Sequence, residues 1–128
     1  MSGNAISDPC FATRRNDDVV ACVRDPFSRD VTLMRLKKPI ARQAAGKTNA
    51  QGNPWALRLA SGATCVFLTG ATGAYAGERV NYGCVPKGYV AGDPDRSAKL
   101  WTTLFVSEWR GGNVTGPATR VKIVEAIF

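Results

Sequence analysis

Four cysteines constrain this chain more than any other feature. Cys10, Cys22, Cys65 and Cys84 allow three pairings, and their spacing is symmetric about two turn-like runs. Cys10 and Cys22 lie equidistant from Asn16, inside Asn16-Asp17-Asp18. Cys65 and Cys84 lie equidistant from Ala74–Tyr75, after the Gly- and Thr-rich run Thr69-Gly70-Ala71-Thr72-Gly73. Cysteines facing each other across an antiparallel hairpin satisfy disulfide geometry, so the spacing predicts Cys10–Cys22 and Cys65–Cys84. Each bridge closes a loop worth on the order of 3 kcal/mol in the chain-entropy model, and disulfides imply an oxidising, extracytoplasmic compartment. Four free buried thiols in a cytosolic protein are the alternative. A zinc site is disfavoured, since there is no C-x-x-C and no histidine.

The missing histidine excludes Ser-His-Asp and Cys-His catalysis, histidine acid–base chemistry and histidine metal ligation. The 128 residues, 45% of them hydrophobic, suit one β-rich domain over 1–128. Trp55, Trp101 and Trp109 need a core to pack in. No apolar run approaches the roughly 20 residues of a transmembrane helix. Met1-Ser2-Gly3-Asn4 precedes no apolar signal-peptide core, so the secreted reading expects the chain in mature form.

Strand signals dominate. Trp55, Leu57 and Leu59 alternate with Ala56, Arg58 and Ala60, the period of a half-buried strand, and these three should be among the most buried side chains. Ser61-Gly62-Ala63 reads as a turn, and Cys65–Leu68, Val80–Val85, Tyr89–Ala91, Leu100–Trp109 and Arg120–Phe128 read as strands. Val19–Arg24 and Val31–Leu36 precede them, and Asp93-Pro94-Asp95 reads as a turn. Pro39 and Pro54 bracket a polar stretch, residues 40–53, expected to be a mobile loop or, through Ala41–Ala45, one helical turn. The expected fold is a small all-β antiparallel sandwich or barrel of seven to eight short strands, stapled by two disulfides.

Charge suggests where such a domain acts. Seventeen Lys and Arg against ten Asp and Glu give +7. No acid occurs between Asp30 and Glu78, where Arg35, Lys37, Lys38, Arg42, Lys47 and Arg58 fall. A field of one sign attracts polyanions, which makes these six the candidate anion-binding residues; ordinary solubilising charge is the competing reading. Nucleic acid is disfavoured, because charge alone supports it. The glycine-rich loop offers Thr69, Gly70, Thr72, Gly73 and Tyr75 as a candidate ligand loop. It has no G-K-[ST], so a phosphate-binding loop is not expected.

Acids are sparse. Glu78 with Glu108 or Asp93 is the conceivable glycosidase pair, against surface pairing of Glu78 with Arg79 or Arg110. Asp93-x-Asp95 lacks further calcium ligands, and no metal or cofactor is expected. Tyr75, Tyr82, Tyr89, Trp101 and Trp109 form either a sugar-stacking platform or core, with Trp101, Phe105 and Trp109 on one strand face. Asn113-Val114-Thr115 matches a glycosylation acceptor.

The run Trp55–Cys65, with Arg79-Val80-Asn81-Tyr82-Gly83-Cys84 and Asp93-Pro94-Asp95-Arg96…Trp101-Thr102, resembles uncharacterised secreted or lipid-anchored domains of high-GC Gram-positive cell-envelope proteins. The likeness covers residues 54–105 and implies a location and a disulfide pattern, with no catalytic residue or ligand. The expectation is a non-enzymatic extracytoplasmic domain associating with an anionic cell-envelope component or a partner protein. A secreted carbohydrate-binding module using aromatic side chains, and a histidine-free secreted enzyme or toxin, are the alternatives.

Overall fold

The computed structural model describes residues 10–23, 25–28, 30–40, 52–110 and 113–128. The chain is all-β, with ten strands among these residues and no helix. It divides into two compact units, Met1–Thr48 and Asn49–Phe128. Residues 41–51 of the loop expected at 40–53 lie outside the described residues.

The first unit is an antiparallel sheet in the order β1 (Cys10–Ala12), β2 (Val19–Val23), β3 (Val31–Arg35). The β1–β2 turn closes locally: the Thr13 hydroxyl donates to the Asn16 carbonyl at 2.9 Å and accepts from the Asn16 N–H at 3.3 Å. Asp25 shapes the next turn by accepting the Phe27 N–H at 2.9 Å, the local side-chain bond that favours Asp at such sites. Cys10 stands opposite Cys22 in the register and is disulfide-bonded to it. Alternation then sorts the side chains. One face carries the disulfide with buried Val20 and Cys22, whose sulfur lies 3.6 Å from the Met34 sulfur. The other carries the rows Phe11-Ala21-Leu33, Val23-Val31 and Val19-Arg35.

The second unit contains β4 (Ala56–Leu59), β5 (Thr64–Phe67), β6 (Ala74–Tyr75), β7 (Glu78–Val85), β8 (Tyr89–Asp95), β9 (Thr102–Arg110) and β10 (Asn113–Ile127). Strands β4, β5, β7, β8, β9 and β10 pair in sequence order, and β10 returns to β4, which closes a six-stranded barrel. Cys65–Cys84 joins registered partners on β5 and β7. The row Phe67-Tyr82-Val90-Phe105 runs across four consecutive strands and packs with Leu57, Leu59, Cys65 and Ile123 as the main core. Tyr89, Val106 and Ala118 form a row of opposite parity. They pack with Val80 and Val114 as a second, smaller core, against which Leu68 and Tyr75 also lie.

Ten strands replace the expected seven or eight because two short ones, β1 and β6, carry too few residues to show a period. Other differences have local causes. Trp55 precedes β4 and is only half-buried, whereas Leu57 and Leu59 are fully buried as expected. Leu100 and Trp101 precede β9. Asp93-Pro94-Asp95 is strand: the β8–β9 register shifts between Ala91 and Asp95, so the missing Pro94 N–H interrupts no regular ladder. Likewise β10 begins at Asn113, since a shift between Thr115 and Ala118 absorbs Gly116-Pro117.

Candidate functional site

The acid-free stretch is spread over both units. Of its six cations, Arg42 and Lys47 lie outside the described residues. Arg58 belongs to β4 of the barrel, where its Nε donates to Glu125 at 2.8 Å. Arg35, Lys37 and Lys38 belong to the first unit. Arg35, at the end of β3, meets Asp18 at 3.3 Å with 77% of its side chain exposed, a geometry worth little in water.

Lys37 and Lys38 differ from both arginines. The Leu36 N–H donates to the Asp18 carbonyl at 2.6 Å and the Ile40 N–H to the Asp17 carbonyl at 2.9 Å. These bonds clasp the segment after β3 to the β1–β2 turn and hold the two lysines at one end of the sheet. Both are exposed, and neither has an ion-pair partner among the described residues. The adjoining sheet face is apolar and open: Phe11 is 50%, Val31 52% and Leu33 66% exposed.

The glycine-rich loop is pinned along its length. Arg79 donates to the carbonyls of Leu68 at 2.7 Å and Gly70 at 2.9 Å. The Thr72 hydroxyl donates to Val80 O at 2.8 Å, Gly73 O accepts the Val80 N–H at 2.9 Å, and the Tyr75 hydroxyl donates to Gly116 O at 3.0 Å. Tyr75, with Leu68, packs on the smaller core, so this loop covers the outer barrel wall. Thr69, Gly70 and Ala71 form its exposed tip.

A polar cluster in the barrel unit escaped the sequence reading. Buried Asn81 donates from Nδ2 to Gly92 O and to Asp93 Oδ1, both at 2.9 Å, and accepts from Arg79 at 2.7 Å. Asp93 Oδ1 also accepts from Asn53 at 2.7 Å. The Tyr82 hydroxyl donates to Pro54 O at 2.7 Å, and Arg96 donates to Gly52 O. Burial, then the neighbouring Asp93 charge, pushes the Tyr82 phenol far above its ordinary range, against a smaller opposing pull from Arg96. Residues 52–54 are thus latched by three side chains, and the polar groups that converge here are occupied with that task. Val80-Asn81-Tyr82 alternates in the sequence as an ordinary half-buried strand does, so nothing there marks the cluster.

Among the described acids, Glu78 lies against Gly92 and Glu108 beside Gly116, and three others have partners of their own. Glu125 meets Arg58, Asp95 meets Arg120 at 3.3 Å, and Asp93 serves the latch. Arg79 turns to the loop carbonyls and Asn81 instead of Glu78. Among the described residues no three His, Cys, Asp or Glu side chains group as metal ligands. The aromatics are divided too. Tyr82 is fully buried, Phe105 and Trp101 pack on the main core, Tyr89 packs on the smaller one, and the Trp109 side chain lies outside the described residues. The Arg96 guanidinium sits 4.6 Å over the Trp101 ring and 5.6 Å over Phe128. Beside them, Lys99, Leu100, Trp101, Val124 and Ala126 line an open recess of about 240 Å³. Comparison with protein families, characterised proteins and solved structures finds no match to this chain.

Proposed function

We propose that this protein is a non-enzymatic extracytoplasmic binding domain that associates with an anionic component of a cell envelope. The barrel serves as scaffold and the disulfide-bonded N-terminal sheet as contact surface. The carrying observation is the pair Lys37 and Lys38, exposed, unpaired among the described residues and clasped at the end of a sheet. Two disulfides suit an oxidising compartment. The carbohydrate-binding alternative draws less support, because the Arg96 guanidinium covers one face of Trp101.

The test uses poly-L-glutamate as a soluble polyanion. Binding is expected to weaken steeply as salt rises, since screening shortens the field to about 8 Å at physiological ionic strength. The double reversal Lys37→Glu/Lys38→Glu should weaken binding while leaving thermal stability within about 0.5 kcal/mol of wild type. Binding at low salt that the double reversal leaves unchanged would reject the proposal.

A further inference from the structure

The open face of the first sheet narrows the choice of anionic partner. Its rows hold Phe11, Ala21, Leu33, Val23, Val31 and Val19, with Arg35 as the sole charged member. Water-facing strands normally alternate apolar and polar residues, and here the two most exposed hydrophobics of β3, Leu33 and Val31, fall on this face, with Met34, 46% exposed, on the other. Strand β3 is also an edge strand, exposed at all five positions. It contains no lysine or proline of the kind that discourages association.

Two arguments select the occupant. The first is size. One strand of three residues and two of five, at about 3.4 Å per residue and about 4.8 Å apart, offer a footprint of roughly 210 Å². A stable protein interface takes roughly 800 Å² from each partner, so this face is too small to hold a second copy or a globular partner by itself. A bilayer sets no such threshold, because a few apolar side chains add to the attraction of nearby cations. The second is charge. Lys37 and Lys38 are fixed beside the same sheet and are not ion-paired among the described residues, while Asp18 of the clasping turn is engaged by Arg35, whose side chain stands on the apolar face largely in water. Basic side chains bordering an apolar surface match the anionic head groups and acyl boundary of a lipid leaflet.

We infer that the anionic component is a lipid surface, on which Leu33 and Val31 enter the acyl boundary while Lys37 and Lys38 contact head groups. This rests on the proposed function and adds an apolar requirement that a soluble polyanion does not share.

The experiment measures binding of the whole chain to vesicles of phosphatidylglycerol and phosphatidylcholine, to phosphatidylcholine vesicles, and to poly-L-glutamate. Wild type should prefer the anionic vesicles. Leu33→Gln should weaken vesicle binding about tenfold, the scale of one lost apolar side chain, and leave poly-L-glutamate binding unchanged. Lys37→Glu/Lys38→Glu should weaken both. Leu33 is 66% exposed, so its variant should keep the wild-type circular dichroism. Vesicle binding indifferent to Leu33→Gln overturns the inference in favour of a purely electrostatic contact. Polymer binding without vesicle binding overturns it and leaves the proposed function standing. Sedimentation showing a wild-type dimer that Leu33→Gln dissociates overturns it by assigning the face to a second copy. Failure to bind any anionic probe overturns both.

Discussion

Tyr82 combines a ring packed edge-on to Phe67, at a centroid distance of 5.3 Å, with a hydroxyl bonded to buried Pro54. Tyr82→Phe removes the donor and strands that carbonyl, so it should cost roughly 1–3 kcal/mol in urea unfolding. The folded state holds the Tyr82 proton more tightly than the ordinary value of 10.0. Its stabilisation is therefore complete below that value and is lost progressively as pH rises above it toward the higher folded-state pKa. Wild type should lose its advantage over Tyr82→Phe in that alkaline range. Asp95 shows the opposite sign: hydrogen bonds from Ser97, then the Arg120 charge, hold its carboxyl below the usual value. Its contribution is present above the ordinary carboxylate pKa and falls away as acid protonates it. Carboxyl NMR should find the Asp95 pKa raised more by Ser97→Ala than by Arg120→Ala. Thr103 is buried with its hydroxyl unbonded. Thr103→Val keeps the shape and removes the stranded group, which should raise stability by about 1 kcal/mol.

At the scale of elements, the turn between β7 and β8 depends on Gly88. Its φ is +98°, and a Cβ there would collide with the Phe105 ring and crowd the Val106 carbonyl at 3.1 Å. Gly62 has a similar φ of +89° and open space around it. Gly62→Ala should therefore cost about 1–2 kcal/mol for backbone strain alone, and Gly88→Ala clearly more, as chemical denaturation can measure. These strands differ in how far the sequence revealed them. Leu57 and Leu59 announced β4 through alternation, and cysteine symmetry located the β1–β2 and β5–β7 pairings before any contact was visible. Pro94 misled, because a breaker residue inside a bulge looks the same in sequence as one ending a strand. The latch of Tyr82, Asp93 and Arg96 on residues 52–54 was illegible for another reason: its partners lie 28 to 44 residues apart, and nothing local encodes the meeting. The lysine pair was visible as charge, but its fixed position beside an apolar face was not.

The two units draw on different sources of stability. The barrel has two apolar clusters. In the first unit, Val20 and Cys22 are the buried hydrophobics among the described residues, so its order leans on the Cys10–Cys22 bridge. A thiol reductant should expose residues 10–40 to protease and to rapid amide exchange while the barrel strands stay protected. Loss of the smaller unit should follow the roughly 3 kcal/mol removed with a short disulfide loop. Equal loss of protection in both units would show that the barrel shares this dependence.

The barrel also has a property of a ring. Each of its seams but one joins strands that follow each other along the ring's own order, and the exception joins β10 to β4, with Ile127 opposite Ala56. At that seam the Trp55 N–H meets the Ile127 carbonyl at 2.6 Å, so the ends of the barrel's chain are already neighbours. Ring closure must bridge the whole strand sequence and bears the largest loop entropy. Fusing those ends through a short linker and opening the chain at Ser61-Gly62 would preserve every pairing of strands. It would make the present closing seam a local one and transfer the late, long-range step to β4 and β5. The fold would be the same circle, cut and sealed at different places, with its order of assembly rotated.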